Sequence, residues 1–293
     1  VGAGETAESA AVITVWDGLA CLLLLIPFFW FGFGLADRIG GWVRAQSLAV
    51  RLALPLSMLV AYFVFALPRG IFDPVTLAGM GAISVAVCGL VLAGYDWAVL
   101  AVLGISVDLG FFKSSFPVAG LSSLPKLLFV DVGLYGYLVL RPLEGIGYDF
   151  RPRDADLGIG LREFLFYTPF ALALGFALSF LHFHRTLSSP LAFAGGWLFT
   201  IAFIAIPEEL FFRGLMLNLL ERRLGTRTAL VVSSVLFGLA HFNKRTAYFN
   251  WRYVILAAVA GVFYARAWLP RRRVLTSSIT HATVDTVWSI WLR

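Results

Sequence analysis

Glu208 and Glu209 stand side by side in the run IAIPEELFFRGLMLNLL, with Arg213 four residues beyond Glu209, and almost every neighbour there would be at home in lipid. Ionisable groups in such a segment are costly unless they face a protein interior or a wet cavity, so a functional role is the default reading. Two of the four histidines have similar settings: His241 closes ALVVSSVLFGLAH, and His281 falls early in VLTSSITHATVDTVWSIWL, four residues before Asp285. Carboxylates and imidazoles are the groups of general acid–base catalysis, of zinc ligation and of proton relay. Which chemistry they serve depends on whether the three segments meet.

Helical spacing constrains the answer. Glu209 and Arg213 are at i, i+4 with the acid nearer the N-terminus, the favoured orientation for an ion pair on one face. Glu208 is turned about 100 degrees away and keeps its carboxylate for a different partner. Pro207 either fixes a first-turn geometry or kinks a longer helix. Phe237 and His241 share a face by the same four-residue rule, as do His281 and Asp285. Counted from the basic ends at Arg222, Arg227 and Arg273, Glu208, His241 and His281 lie about 14, 14 and 8 residues in, or roughly 21, 21 and 12 Å of helix. Such depths allow the three to share one layer below the cytoplasmic surface.

The elements that must position them are helices in a bilayer. Of 293 residues, 60% are hydrophobic and 14% charged, far beyond the apolar share of a soluble domain. The expected fold is an all-α polytopic membrane protein, a bundle of about ten transmembrane helices with its active site buried among the carboxy-terminal spans. The runs are Val12 to Leu35, Val50 to Leu67, Val75 to Gly94, Trp97 to Phe111, Leu124 to Leu140, Phe164 to Leu181, Leu191 to Leu220, Thr228 to Phe242, Arg252 to Leu269 and Val274 to Leu292, each read against the 20 or so residues that a bilayer needs. The first is not a signal peptide: Glu5, Glu8 and Asp17 make its leading segment acidic and its apolar stretch is long. The absence of an initiator Met reads as a processed start. The polar segment Glu144 to Asp156 divides an amino-terminal group (1–143) from a carboxy-terminal core (164–293), with 144–163 as a cytoplasmic loop and interfacial helix around Arg162 and Glu163.

The formal charge of +6 does not point to nucleic acid, because the basic residues fall in short loops between apolar runs, where anionic lipid headgroups and topology require them. Cys21 and Cys88 lie inside apolar runs and read as packing residues. His182 and His184 end a span in LHFHRT and read as interfacial. Asp131, in LFVDVGLYGYLVL, reads as a buried polar contact or a span boundary.

The quoted residues also carry a family likeness. EELFFR fits the pattern EExxxR, FGLAH fits FxxxH and HATVD fits HxxxN/D, and over about Leu191 to Leu292 the chain resembles the CAAX protease and bacteriocin-processing family, also called the abortive-infection family. Its type II CAAX prenyl endopeptidases are glutamate-dependent intramembrane proteases. The resemblance implies that Glu208 and His241 activate a water for attack on a peptide carbonyl, that His281 and Asp285 hold the oxyanion, and that Glu209 with Arg213 braces the first helix beside a packing Phe237. It also implies a site without metal or cofactor, a peptide or membrane-anchored protein as substrate, and residence in a bacterial cytoplasmic membrane. The best-known prenyl proteases carry Asn at the position of Asp285. An ionised Asp cannot donate to an oxyanion, so Asp285 is either protonated or orients His281.

Two other classes remain open on the residues alone. Glu208, His241 and His281 would furnish three zinc ligands, although no HExxH pairing is present, and buried charges also serve transporters or scaffolds. Topology is the first expectation open to measurement. With the N-terminus outside, thirteen Lys and Arg residues fall in cytoplasmic loops against eight opposite, which places Glu144 to Arg162 and Arg271 to Arg273 in the cytoplasm. Single cysteines introduced in these loops should react with a membrane-impermeant reagent only from the cytoplasmic side of sealed vesicles, and labelling of both from outside reverses the orientation.

Overall fold

The helix ends follow from local chemistry. Pro74 opens one helix because its missing N–H would be unsatisfied there anyway, and the Asp73 carboxylate before it accepts the N–H groups of Val75 and Thr76. Gly94, at φ +80°, closes the same helix. A side chain would be strained at that angle. The computed structural model describes residues 13–108, 110–118, 121–186, 188–244, 246 and 248–292. Glu5, Glu8, Arg245 and Arg293 lie outside them.

Eleven helices occur among the described residues, and no strand. They are α1 (Val15–Gly32), α2 (Leu35–Arg44), α3 (Leu48–Ala66), α4 (Pro74–Ala93), α5 (Asp96–Asp108), α6 (Leu124–Leu134, continued by the π turn Tyr135–Leu140), α7 (Asp154–Ala177), α8 (Pro190–Leu224), α9 (Thr226–Leu239), α10 (Trp251–Trp268) and α11 (Val274–Val287, continued by Trp288–Leu292). The chain divides into two compact units between Pro142 and Leu143. In the first, α1 packs on α3 and α6, and Asp17 of α1 takes Arg69 at 3.0 and 2.5 Å. Asp96 pairs with Arg141 and accepts the Tyr137 hydroxyl at 3.0 Å.

Among the described residues five helices, α1, α3, α4, α7 and α8, are by length and composition alone long and apolar enough to cross a membrane, where ten spans are expected. The protein is an all-α polytopic membrane protein with fewer spans of that kind, and the difference has a physical reason. α10 carries Arg252 and Arg266, while α11 is studded with Thr276, Ser277, Ser278, Thr280, Thr283 and Thr286, all six buried. Helices covered by protein need not be apolar all round. α5 and α9 are apolar but short.

The polar segment also differs from expectation. No separate interfacial helix precedes Phe164: α7 starts at Asp154 and runs unbroken through Arg162 and Glu163. The loop before it is clamped to the start of α11. Arg273, 2% exposed, donates to both Asp156 oxygens at 2.8 and 2.9 Å, to Asp149 Oδ2 at 2.8 Å and to the Arg151 carbonyl at 2.7 Å. Thr276 adds a hydroxyl to Asp156 at 2.7 Å. Gly147, at φ +74°, accepts the Val274 N–H, and any side chain there would run into the Arg272 carbonyl. The helix carrying His281 is therefore seated by loop contacts as well as by packing.

Burial alone would raise the Asp149 carboxyl, but the Arg151 N–H and the Arg273 guanidinium outweigh it and hold the group below the usual carboxylate range. A carboxyl depressed on folding contributes stability above its ordinary pKa of about 3.9, which is lost as pH falls through the lower folded value. Asp149→Asn should therefore lower stability by about 1 kcal/mol at neutral pH, allowing for partial exposure. Thermal unfolding of the two proteins should show a constant gap from pH 8 to about 5, closing below about pH 4.

Candidate active site

Pro207 sits inside α8 and cannot donate to the preceding turn, where its ring would also crowd a carbonyl. The helix accommodates it by widening: π turns at Ile201–Ala205 and Leu210–Leu217 flank the α turn Ile206–Glu209. Such turns are rare and often mark functional sites. The two glutamates are thus held between wide turns, pointing to different surroundings. Glu209 is fully buried, whereas the Glu208 side chain is 24% exposed.

Glu209 Oε1 accepts from Arg213 Nη1 at 3.0 Å. The guanidinium is itself fully buried, lying 4.5 Å from the Phe237 ring centre and 5.3 Å from that of Tyr264. Its Nη2 donates to the Gly261 carbonyl at 3.0 Å. A Cβ at 261 would come within 3.1 Å of Ser234 Cα and 3.3 Å of that Nη2. The absence of a side chain lets α10 approach both.

The same Glu209 oxygen takes a second donor, His281 Nδ1, at 2.9 Å. A carboxylate only accepts, so Nδ1 carries the hydrogen and the ring orientation is fixed. Tyr264 stacks on the imidazole at 4.5 Å and 16°, and Phe237 meets it edge-on at 5.7 Å. The opposite nitrogen, Nε2, faces two partly exposed carboxylates: Asp285 Oδ2 at 3.5 Å and Glu208 Oε2 at 3.9 Å.

His241 lies just past the end of α9, in a turn whose N–H bonds back to Gly238 at 3.0 Å. The helical spacing survives the end of the helix, because Nδ1 contacts the Phe237 carbonyl at 2.8 Å and the two rings are 4.9 Å apart. The carbonyl can only accept, which leaves Nε2 as the nitrogen available for a proton. Tyr253 packs on the other side, 4.8 Å away. His241, His281 and Asp285 line one cavity, together with Phe237, Tyr167 and Tyr264. Most of its remaining wall is apolar. Glu208 is outside that wall and reaches the group through His281.

Of the expected residues, Glu209, Arg213, Phe237, His281 and Asp285 form one contact cluster, with Glu208 at its edge and His241 joined through Phe237. His182 and His184 do not join it; they lie in an extended strap whose N–H groups donate to Leu292 and Trp291. Asp131 is fully buried in the other unit. Sequence reasoning missed the tyrosines. Their signal was the spacing Tyr253, Leu256, Ala257, Ala260 and Tyr264 along one face of α10, all lining the cavity. Among the described residues, no three His, Cys, Asp or Glu side chains are disposed to hold a metal ion.

Residues 190–287 match the family model described as Type II CAAX prenyl endopeptidase Rce1-like. The match runs from the start of α8 to the end of the α-helical part of α11, and so contains every residue of the cluster. No curated protein and no solved structure matches the chain. Over that third of the chain the protein is similar to a family of membrane endopeptidases, and its long apolar helices are those of a multi-pass integral membrane protein.

Within the Rce1-like segment, Glu209 holds two buried partners at once. Glu209→Gln leaves the Arg213 guanidinium buried without its counter-charge and replaces one acceptor of His281 with a weaker one. The expected loss is about 3 to 5 kcal/mol, the cost of breaking a buried pair. Thermal unfolding in detergent measures it; an unchanged midpoint would show that the pair contributes nothing.

Proposed function

We propose that the protein is a glutamate-type intramembrane endopeptidase that hydrolyses a peptide bond of a membrane-anchored or lipid-modified peptide, in a bacterial cytoplasmic membrane. The observation that carries the reading is the approach of Glu208 and Asp285 to one nitrogen of His281, at the wall of a cavity shared with His241. In this reading Glu208, assisted by His241 Nε2, accepts a proton from a water molecule whose oxygen attacks the peptide carbonyl. A C–O bond forms, the carbonyl π pair moves to oxygen, and His281 in its doubly protonated form donates Nε2–H to the resulting oxyanion. Collapse breaks the C–N bond as the proton taken from water passes to the leaving amine.

In the same reading Asp285 is the residue that aims His281. Its Oδ2 lies 3.5 Å from His281 Nε2, so an ionised Asp285 accepts from the imidazolium and aims it. It need not donate to the oxyanion itself. Glu209 fixes the other end of the ring, which gives the donor the preorganisation that oxyanion stabilisation requires. Wetness follows the roles: the proposed base is partly exposed, and the brace is dry.

The chemistry is tested at Glu208. Glu208→Gln keeps the shape but cannot accept a proton, so turnover of a fluorogenic membrane-anchored peptide should fall by about 100-fold or more, with the unfolding temperature nearly unchanged. Full activity in that variant refutes the glutamate mechanism. Assays with and without a strong zinc chelator form the second arm: activity lost on chelation and restored by zinc assigns the reaction to a metal.

A further inference from the structure

Away from the active site, α7 and α10 carry a cluster that the proposed reaction does not use. Glu163 is fully buried. Arg162 Nε and Nη2 both donate to its Oε1, at 3.1 and 2.8 Å. Arg266 Nε lies 3.0 Å from Oε2, an ion-pair contact without a directed hydrogen bond. Two guanidiniums therefore share one carboxylate, leaving a formal charge of +1. Both arginine side chains are about half exposed, 51% for Arg162 and 44% for Arg266. Each guanidinium keeps N–H groups that Glu163 does not take, while the counter-charge itself is buried.

The surface beneath the charges is apolar and continuous. Phe166 and Phe170 follow Arg162 at four-residue intervals on α7, and both are exposed, 48% and 54%. Arg266 lies over Phe166 at 5.6 Å and over Phe263 at 5.2 Å, and Phe170 packs on Phe263 at 5.6 Å. From Arg162 to Phe170 the helix rises about 12 Å, a length over which an acyl chain can lie along it. A cationic fork above an aromatic gutter, on a helix long and apolar enough to span a bilayer, matches the charge and shape of a phospholipid with an anionic headgroup. Arginine forks suit phosphate geometry, and basic residues at the interface attract anionic lipid.

We propose that Arg162 and Arg266 form a binding site for the phosphate of an anionic phospholipid whose chain lies along Phe166 and Phe170. The opposite faces of the same two helices help to enclose the cavity, through Tyr167 and Thr168 of α7 and Ala260 and Tyr264 of α10. Lipid at the outer face thereby ties together two walls of the cavity. The proposal does not depend on the peptidase reading.

The test uses the full chain in an uncharged detergent, with native mass spectrometry and thermal unfolding against added phosphatidylglycerol, phosphatidylcholine and inorganic phosphate. Phosphatidylglycerol should be retained and raise the unfolding temperature; phosphatidylcholine and inorganic phosphate should not. Arg162→Gln and Arg266→Gln should each weaken retention by about fivefold, the effect of one interfacial cation. Glu163→Gln removes the internal counter-charge without adding bulk, so it should strengthen retention, a change of opposite sign that general unfolding cannot mimic. Equal retention by all variants, or a full shift with inorganic phosphate alone, overturns the proposal.

Discussion

A fully buried carboxylate in an apolar membrane unit must be paired if it is to stay ionised, and Glu209 meets that constraint with two cations or donors at one oxygen. Much else follows from satisfying those partners. Arg213 has no route to water, so it spends its other terminal nitrogen on the Gly261 carbonyl and lays its plane against Phe237 and Tyr264. That arrangement requires close approach of α10, which a side chain at 261 would obstruct. The same two rings then touch His281, one stacked and one edge-on. One dry ion pair thus fixes the relation of α8, α9, α10 and α11.

The three carboxylates around His281 differ mainly in their exposure. Glu209 is dry, while Glu208 and Asp285 are partly wet, at 24% and 31%. Both donors to Glu209 fall on Oε1, and its Oε2 is buried away from solvent, so neither oxygen is open to an incoming water. The two partly exposed carboxylates can exchange partners without dismantling the core. This asymmetry between adjacent residues of one helix supports the proposed separation of brace and base. It rests on the turn of about 100 degrees between neighbours and on the π turns that set which direction each faces.

How much of this was legible in the sequence depended on distance along the chain. The Glu209–Arg213 pair is local, and i, i+4 spacing suffices to expect it. The proximity of Phe237 to His241 is also local and persists even though α9 ends at Leu239. The contact from Glu209 to His281 spans 72 residues, and no periodicity within either segment encodes it. Arg162 and Glu163 interrupt the apolar run of α7; the buried Glu163 carboxylate is met by Arg162 beside it and by Arg266, more than 100 positions away. Length and apolarity alone single out fewer helices than the ten apolar runs for a related reason. α10 and α11 have helical periodicity and moderate apolarity, but they spend it on protein neighbours, as the buried hydroxyls of α11 show. Composition alone does not distinguish a wall of lipid from a wall of other helices.

The cavity shows what that distinction achieves. A site for peptide hydrolysis inside a membrane must admit water to a few groups while keeping most of its surface apolar enough for a membrane-anchored chain. Here the two imidazoles and one carboxyl of the wall, His241, His281 and Asp285, accompany aromatic and aliphatic residues drawn mainly from α7, α10 and α11. Had α11 been apolar all round, it could not have carried His281 and Asp285 one turn apart on the cavity side while hydrogen-bonding α7 through Thr280, whose hydroxyl donates to the Gly160 carbonyl at 2.9 Å. A Cβ at Gly160 would crowd Ile279 and the Thr276 carbonyl, so close packing and polar anchoring occur at the same crossing. The hydroxyl-rich character that makes α11 a poor lipid-facing helix is what allows it to be held against α7 with its imidazole at a defined position.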